Sequence, residues 1–554
     1  MMFGRMGVAF GRLGALRSST APLPAISNQT IAFGAATLAS AGGAKARDDY
    51  GNERDFVSVD SVVSGTGTGW TVSSGRLIRT TGTPAASDGA VLRCTTSLGQ
   101  VDVTISALAD GYSFRQQSEW GAILDIATAT LSGKTLYARP GTGIVSRTSS
   151  PYDFRNRQFS SPLVISSHDT SSGNKGVWDR FSIRRCSNIT FDGIRITNQS
   201  SLNLVDIINE VSTGCSDIWV KNCEMAGIYK DPNADYSGAG SYGTNSVGVN
   251  TSGASHSNIK VHDNLIEDVD KGMILSCTGT LEVYGNRIDR LYRDVMQIIW
   301  PGSSVAAKIK YNTASQPIGR SDDADNPHVD FCQMTGTKLS QTANWSGIEL
   351  EGNRFIQGDA RGTAQFLLLN DMDGSGYYFD APRIVGNFTD ITSTHGITVD
   401  QAKDCVVYGN TIPNAPIKLG SGSGGSTSSG THLVKRNIAT FYLLGGSPTL
   451  DSNIDIGVDG TLAQVFDGDS GTFYEADNIA DAMSMYSNKA NGPADVDNSG
   501  DASIGDAGAI GSGYVTWPSA IPGHDGSVDT DYESGGASTA GQPIGLLLIL
   551  TKAA

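Results

Sequence analysis

A short segment that ends in asparagine returns along the middle of the chain. In LEVYGN (281–286), an apolar residue stands five and three positions before the asparagine, and a polar residue stands between them. The last position of each return, here called the asparagine slot, holds in order Ile194, Cys223, Asn264, Asn286, Asn312, Asn353, Asn387, Asn410 and Asn437. Because strand side chains alternate between two faces, the pattern predicts a strand with one buried face at every return.

The position four before the slot, which must then face outward, alternates in charge over five successive returns. It holds Lys260, Glu282, Lys308, Glu349 and Arg383. Neighbouring strands lie about 4.8 Å apart, so stacked unlike charges attract and stacked like charges repel. The alternation therefore predicts that the returns stack on one another as neighbouring strands.

The intervals between slots are irregular, as is natural for coils whose turns carry insertions. Stacked strands with irregular turns and almost no helical pattern predict an all-β fold, a right-handed parallel β-helix. In this interpretation asparagine marks a sharp corner, because it tolerates the left-handed backbone conformation and its amide can bond to the asparagine of the next coil.

Composition agrees with a solenoid and excludes several functions. The chain has 554 residues, 68 glycines and only 8% aromatic residues, and a chain this long would not form one compact core. The net charge of −16 and the lack of a basic stripe argue against nucleic-acid binding. No apolar run is long enough for membrane insertion. The seven scattered cysteines predict small buried hydrophobes rather than a disulfide or zinc framework.

The pattern changes along the chain predict four segments. Residues 1–50 form an N-terminal arm rich in Gly, Ala, Ser and Arg, whose arginines interrupt any signal-peptide core, and residues 51–115 form a small β module. Residues 116–445 hold a cap helix, with Trp120 and Ile123 on one face, followed by the coils. Residues 446–554 form a C-terminal β and loop region, whose apolar GLLLIL (545–550) is assigned to a subunit interface.

Four features together carry a resemblance. With the cap helix, the lead-in GKTLYARPG (133–141), the strand NITFDGIRIT (188–197) and the asparagine corners, the central chain resembles the pectate-lyase-like superfamily of right-handed β-helices. The order of arm, β module, β-helix and apolar end is similar to tailspikes and receptor-binding fibres of phages and gene transfer agents. This resemblance implies a homotrimer on the surface of a virion, held through its arm by a tail or baseplate protein and recognising host surface polysaccharide.

Two coils carry unusual polar residues, RDVMQII (293–299) and NPHVDFCQM (326–334). Aligned, they place Asp294 over Asp330 and Gln297 over Gln333, with both glutamines expected at inward positions. Two carboxyls on adjacent coils would lie about 5 Å apart, as in a retaining glycosidase, and His328 stands beside them. The alternative is that the aspartates cap turns and the glutamines form an amide ladder. Expected substrate-binding residues are Gln297, Gln333, Arg293, Trp300 and Tyr377.

Two acidic loops suggest calcium. RSDDADNPH (320–328) would bind calcium or supply the metal and base of a lyase, or is simply a solvated loop. DVDNSGDASIGD (495–506) fits the spacing of a calcium loop, with Asp495, Asp497, Ser499, Asp501, Ser503 and Asp506 as ligands. The alternative for the second loop is an ordinary cluster of Asp and Gly turns.

Three functional hypotheses follow. The leading one is a virion-attached spike or fibre that recognises, and as a depolymerase would degrade, host cell-surface polysaccharide. The second is a soluble β-helix polysaccharide lyase or glycoside hydrolase, for which Arg287, Arg290, Arg293 and Arg320 would gather on one face. The third is a structural or adhesion protein without catalysis.

Overall fold

The computed structural model describes most of the segment between residues 26 and 456. The described ranges are 26–34, 46–47, 53–65, 69–79, 90–108, 111–114, 117–138, 154–167, 177–178, 180–197, 203–208, 213–227, 246–252, 256–300, 305–315, 329–336, 344–356, 364–370, 377–391, 395–420, 429–451 and 453–456.

The chain begins with nine strands and two helices. They are β1 (Gln29–Gly34), β2 (Ala46–Arg47), β3 (Glu53–Arg54), β4 (Phe56–Ser64), β5 (Trp70–Ser73), β6 (Arg76–Arg79), β7 (Ala90–Thr96), β8 (Gly99–Leu108), β9 (Gly111–Phe114), α1 (Gln117–Leu124) and α2 (Thr128–Leu131).

Short strands follow throughout the rest of the described chain. The first are β10 (Thr135–Ala138), β11 (Phe154–Arg155), β12 (Gln158–Ser167), β13 (Val177–Trp178), β14 (Phe181–Arg184), β15 (Ser187–Asp192), β16 (Arg195–Thr197), β17 (Val205–Ile208), β18 (Ser216–Lys221), β19 (Glu224–Ala226), β20 (Val247–Ser252), β21 (Ser257–His262), β22 (Leu265–Val269), β23 (Lys271–Leu275), β24 (Thr278–Tyr284), β25 (Arg287–Leu291), β26 (Met296–Trp300), β27 (Val305–Lys310) and β28 (Thr313–Ser315). The later ones are β29 (Val329–Gly336), β30 (Trp345–Ser346), β31 (Ile348–Glu351), β32 (Arg354–Ile356), β33 (Ala364–Asn370), β34 (Phe379–Asp380), β35 (Arg383–Val385), β36 (Phe388–Asp390), β37 (Ile397–Val399), β38 (Ala402–Lys403), β39 (Val406–Tyr408), β40 (Thr411–Ile412), β41 (Ile417–Leu419), β42 (Leu433–Lys435), β43 (Ile438–Ala439), β44 (Tyr442–Leu444), β45 (Thr449–Asp451) and β46 (Ile454–Asp455).

These strands form three long sheets of parallel strands. The first sheet has 13 strands and runs from β9 through β24 to β45, the second has 11 and runs from β11 to β44, and the third has 11 and runs from β13 to β46. Each coil contributes one strand to each sheet in the order first, third, second. This confirms the predicted all-β fold, a parallel β-helix.

The returns predicted from the sequence are the strands of the first sheet. Lys260 pairs in register with Glu282, and Glu282 pairs with Lys308. The Lys260 Nζ and Glu282 Oε2 atoms are 3.0 Å apart. The residues three before the slot, such as Val283 and Leu350, are fully buried. Both the inward column and the stacking of unlike charges are therefore confirmed.

The N-terminal end of the solenoid is covered by α1 and α2, as the sequence predicted. Trp120 and Ile123 on α1 are buried, and Gly133, which ends the helical segment, has a φ of 73°. Trp120 packs edge-on against Phe154 and Trp178, with ring centroids 5.1 and 4.9 Å away. In front of the cap lies a sheet in the order β1-β8-β7-β4, whose strand β1 comes from the segment predicted as an arm.

The asparagine slots form a continuous buried ladder. Asn286 donates from Nδ2 to Asn312 Oδ1 at 2.9 Å and to the Val261 carbonyl at 2.8 Å, and its Oδ1 accepts from Asn264. The ladder extends one coil beyond the prediction, because Asn437 donates to Asn453. The predicted backbone role of asparagine is wrong. The left-handed residue is the one before the slot, for example Gly285 with a φ of 62°, and asparagine serves as the hydrogen-bonding rung.

All seven cysteines are buried and free of disulfides, as predicted. Burial raises the pKa of the Cys215 thiol to about 11 and that of Cys277 to about 12. Such thiols stay protonated and act as small apolar side chains. Within the described part of the chain, neither helix is long and apolar enough to cross a membrane.

Candidate functional site

The corners of the solenoid differ in the length of the chain that crosses them. At the asparagine corner, between the first and third sheets, two residues such as Gly285 and Asn286 connect the strands. Between the third and second sheets, residues 227–246 connect β19 to β20 and residues 316–328 connect β28 to β29. The two coils between these long connections turn tightly, through Asp270 alone and through residues 292–295. The fold thus brackets two tight turns with the two longest connections at this corner.

Charged side chains concentrate on these two tight turns, which we call the charged corner. Its residues are Glu267, Asp268, Asp270 and Lys271 from one coil and Arg287, Asp289, Arg290, Arg293 and Asp294 from the next. β22 and β25 are parallel neighbours, with Glu267 in register with Asp289. Acidic and basic groups from the two coils therefore meet across the strand spacing of about 4.8 Å.

Ion pairs connect the two coils of the charged corner. Arg290 forms a bidentate pair with Asp268, at 2.8 and 3.0 Å, and its NH2 atom lies 3.3 Å from Glu267 Oε1. Lys271 Nζ lies 3.1 Å from Asp294 Oδ2. Planar bidentate pairs are geometrically specific, so these contacts fix the positions of the carboxylates.

The two carboxyls at the centre of the corner have different surroundings. Asp289 accepts from Arg287 Nε at 2.7 Å and from the Ser315 hydroxyl, and its side chain is 6% exposed. Glu267 is 25% exposed. Desolvation raises the pKa of Glu267; Arg290 opposes this shift, whereas Asp289 and Asp268 add to it. One carboxyl is therefore held by hydrogen-bond donors, and its neighbour is biased toward the protonated form.

An amide pair lies on the second sheet beside the corner. Gln297 Nε2 donates to Gln333 Oε1 at 3.1 Å, and Lys271 Nζ donates to Gln297 Oε1 at 3.1 Å. The predicted inward direction of the glutamines is wrong. Gln297 stands between the buried Met296 and Ile298 and is itself only half-buried, so it faces outward. The predicted ladder is therefore present on the outer surface.

The structure brings Asp294 and Asp330 to adjacent coils, as the sequence alignment predicted. Asp294 Oδ1 accepts from the Asp330 backbone N–H at 3.3 Å, and Val295 N–H donates to the Asp330 carbonyl at 2.8 Å. Asp330 has no exposed surface. Their catalytic role stays a prediction, and these contacts favour the alternative in which both support the turn.

A buried acceptor stands next to this pair. Gln365 is in register with Asp330 on the next coil and is 9% exposed. Its Oε1 atom has no hydrogen-bond donor among the described residues. A buried carbonyl without a donor is costly, so a hydroxyl or water bound at this position would satisfy it.

The other predicted site residues are dispersed. Arg293 is exposed on the charged corner, with its Nε atom 3.6 Å from Asp270 Oδ1. Tyr377 is half-buried before β34, away from the corner, and packs against the core. The backbone of Trp300 pairs with Gly336. His328, Arg320 and both acidic loops, including the ligands proposed within 495–506, lie outside the described residues. Among the described residues, no three His, Cys, Asp or Glu side chains are arranged to hold a metal ion.

The aromatic side chains on the first sheet, considered for sugar stacking, are engaged within the protein. Lys221 Nζ lies 4.1 Å from the centre of the Trp219 ring, and Tyr284 is buried and stacks on His262. Glu267 and Asp289 were not singled out by the sequence analysis. Their signal was present, because aligning the chain on Asn264 and Asn286 places these two residues at the same position.

No family model and no curated protein matches the chain. Among solved structures it is similar to the crystal structure of an alginate lyase from Paenibacillus sp. str. FPU-7. The identity is 10% and the TM-score 0.35, and the match covers 63% of this chain and 99% of that chain. At these values the likeness carries no argument about activity.

Proposed function

We propose that the protein binds and cleaves a polysaccharide at the charged corner and the amide pair beside it. The observation that carries the proposal is the concentration of charged side chains on two tight coils bracketed by the two longest connections at that corner. Ligand sites occur where a rigid scaffold presents convergent polar groups between loops. A parallel β-helix offers such a scaffold along its whole length.

The chemistry of the corner suits a sugar polymer rich in hydroxyls. Gln297, Gln333 and the exposed Arg293 present planar donors and acceptors on the outer surface. The cations of the corner are paired with carboxylates, as Lys271 is with Asp294 and Arg290 with Asp268. A polyanion would have to compete with these carboxylates, and the net charge of −16 would repel it. Neutral polysaccharides are therefore the preferred class.

The test is a binding and cleavage assay with neutral polysaccharides (dextran, mannan, galactan) and anionic ones (alginate, polygalacturonate). We expect the wild type to bind at least one neutral polymer and to release reducing ends, and Arg293→Ala with Gln333→Ala to weaken binding about tenfold or more. Lys308→Ala, an outward lysine on the first sheet, is the matched control. Failure to bind any of these polymers, or equal loss in the control, would refute the proposal.

The virion setting, the partner of the arm and the homotrimer stay predictions from the sequence. They concern where the protein acts, and the same polysaccharide-binding corner would serve a particle-bound spike or a free enzyme. Cleavage without a virion would favour the free enzyme.

A further inference from the structure

We propose that Glu267 and Asp289 are the acid/base and the nucleophile of a hydrolytic reaction at a glycosidic bond. This inference rests on the proposed polysaccharide binding and goes beyond it, because it assigns the reaction type and two residues that act on the substrate. The reaction class is retaining glycoside hydrolysis, and the substrate class is a neutral polysaccharide.

The backbone register carries the geometry. Glu267 on β22 pairs with Asp289 on β25, and both alternate with the buried residues Ile266 and Ile288, so both side chains point outward. Parallel neighbours lie about 4.8 Å apart. Retaining glycosidases hold their two carboxyl groups about 5–5.5 Å apart, whereas inverting enzymes need a wider gap for a water molecule. Adjacent coils therefore match the retaining geometry.

The two carboxyls have the division of roles that this mechanism needs. Asp289 is held by Arg287 and Ser315, which stabilise its ionised form as a nucleophile. Glu267 is the more exposed of the two and has a raised pKa, as a proton donor requires. The neighbouring Asp268 is neutralised by its bidentate pair with Arg290. The corner thus keeps one carboxyl charged and one available to carry a proton.

The reaction proceeds in two balanced steps. An Asp289 oxygen bonds to the anomeric carbon while the glycosidic C–O bond breaks, and Glu267 gives its proton to the leaving sugar oxygen. Ionised Glu267 then takes a proton from water, whose oxygen attacks the anomeric carbon and breaks the ester to Asp289. The products are two shorter chains, one with a new reducing end, and both carboxyls return to their starting states.

The aspartates first suggested by the sequence are less suited to this chemistry. Asp294 is engaged by Lys271 and by the Asp330 backbone N–H, and Asp330 has no exposed surface. Glu267 and Asp289 lie on the same two coils, at the preceding part of the corner. The Lys271 and Asp294 pair then supports the turn that positions Asp289 and Arg290.

The test uses the polysaccharide that the wild type binds, with Glu267→Gln and Asp289→Asn as variants and Glu224→Gln on β19 as the matched control. We expect each variant to bind with an unchanged dissociation constant and to lose about 10²–10⁴-fold in hydrolysis, with the control unaffected. Glu267→Ala should still cleave 2,4-dinitrophenyl glycosides of the derived oligosaccharides, because that leaving group needs no proton. Matching melting curves would establish that the variants fold.

A second measurement uses the wild type alone. A 2-deoxy-2-fluoro glycoside of the same oligosaccharide should label the peptide that contains Asp289, as read by mass spectrometry. Binding without cleavage, unsaturated products of elimination, or labelling of another carboxyl would overturn this inference and leave the binding proposal standing. Absence of binding to any polymer would overturn both.

Discussion

Buried polar side chains in the solenoid wall are satisfied by the next coil. His432 has no exposed surface, and its Nδ1 atom accepts a hydrogen bond from the Cys405 backbone N–H at 3.1 Å. The ring must therefore be neutral, with its proton on Nε2. Burial lowers the pKa of His432, and the charge on Asp404 opposes this shift only in part. His256 accepts from Cys215 in the same way, at 3.0 Å.

We predict that His432 makes the last coils sensitive to acid. Because its folded pKa lies below the value of about 6.5 in an unfolded chain, its contribution to stability is present above pH 6.5 and is lost as the pH falls through the folded pKa. His432→Asn keeps an acceptor near the Nδ1 position and cannot titrate in this range. Urea unfolding between pH 7.5 and 5 should show a smaller loss of stability for the variant, and parallel curves would contradict the prediction.

At the scale of elements, the asparagine ladder ties the first sheet to the third. Each rung supplies an acceptor to the backbone and side chain of the preceding asparagine and a donor to a carbonyl two coils back, as Asn312 does for Asn286 and Val283. The ladder runs through a corner with no insertions. Its strands keep their register while the opposite corners vary in length, so the rigid and variable sides of the molecule are separate.

We predict that Asn312→Leu destabilises the solenoid by about 3 kcal/mol. Leucine is similar in size, but it leaves the Asn286 amide, the Asn286 backbone N–H and the Val283 carbonyl without their partner, and each unpaired buried group costs about 1–3 kcal/mol. Chemical unfolding monitored by circular dichroism measures the difference, with the outward Lys308→Ala as the control. A loss no larger than that of the control would mean that the ladder contributes little.

The first sheet could be predicted from the sequence because every one of its strands ends at the same marker. The second and third sheets carry no such marker, and the connection of variable length before β29 shifts the register, so the direction of Gln333 was misassigned. Glu267 and Asp289 escaped notice for another reason. They stand in an ordinary alternating strand, LIEDV, and their importance comes from the tight turns and long connections around them, which appear only when the coils are stacked.

At the scale of the whole molecule, the two ends of the described solenoid differ. The first coils are covered by α1 and by an aromatic cluster in which Phe181 stacks on Trp178 at 3.9 Å. At the other end, Leu450 follows the buried Val434 in register and yet is 46% exposed. In a solenoid each coil contacts only its neighbours, so stability is a sum of local terms. A defect at the cap should therefore remain near the cap.

We predict that Trp120→Ala loosens the first coils and leaves the later ones intact. Deleting a buried tryptophan costs about 3–5 kcal/mol, here concentrated on the contacts with Phe154, Trp178 and Phe181. Hydrogen exchange should accelerate in β12, β14 and β15 and stay unchanged in β39 and β41. Trp345→Ala, which removes a fully buried ring from the small sheet of β30, β34 and β38, should shift the fast exchange to that part of the chain. If both variants accelerated exchange uniformly along the solenoid, the coils would be folding as one cooperative unit, and the charged corner would depend on the cap as well as on its own ion pairs.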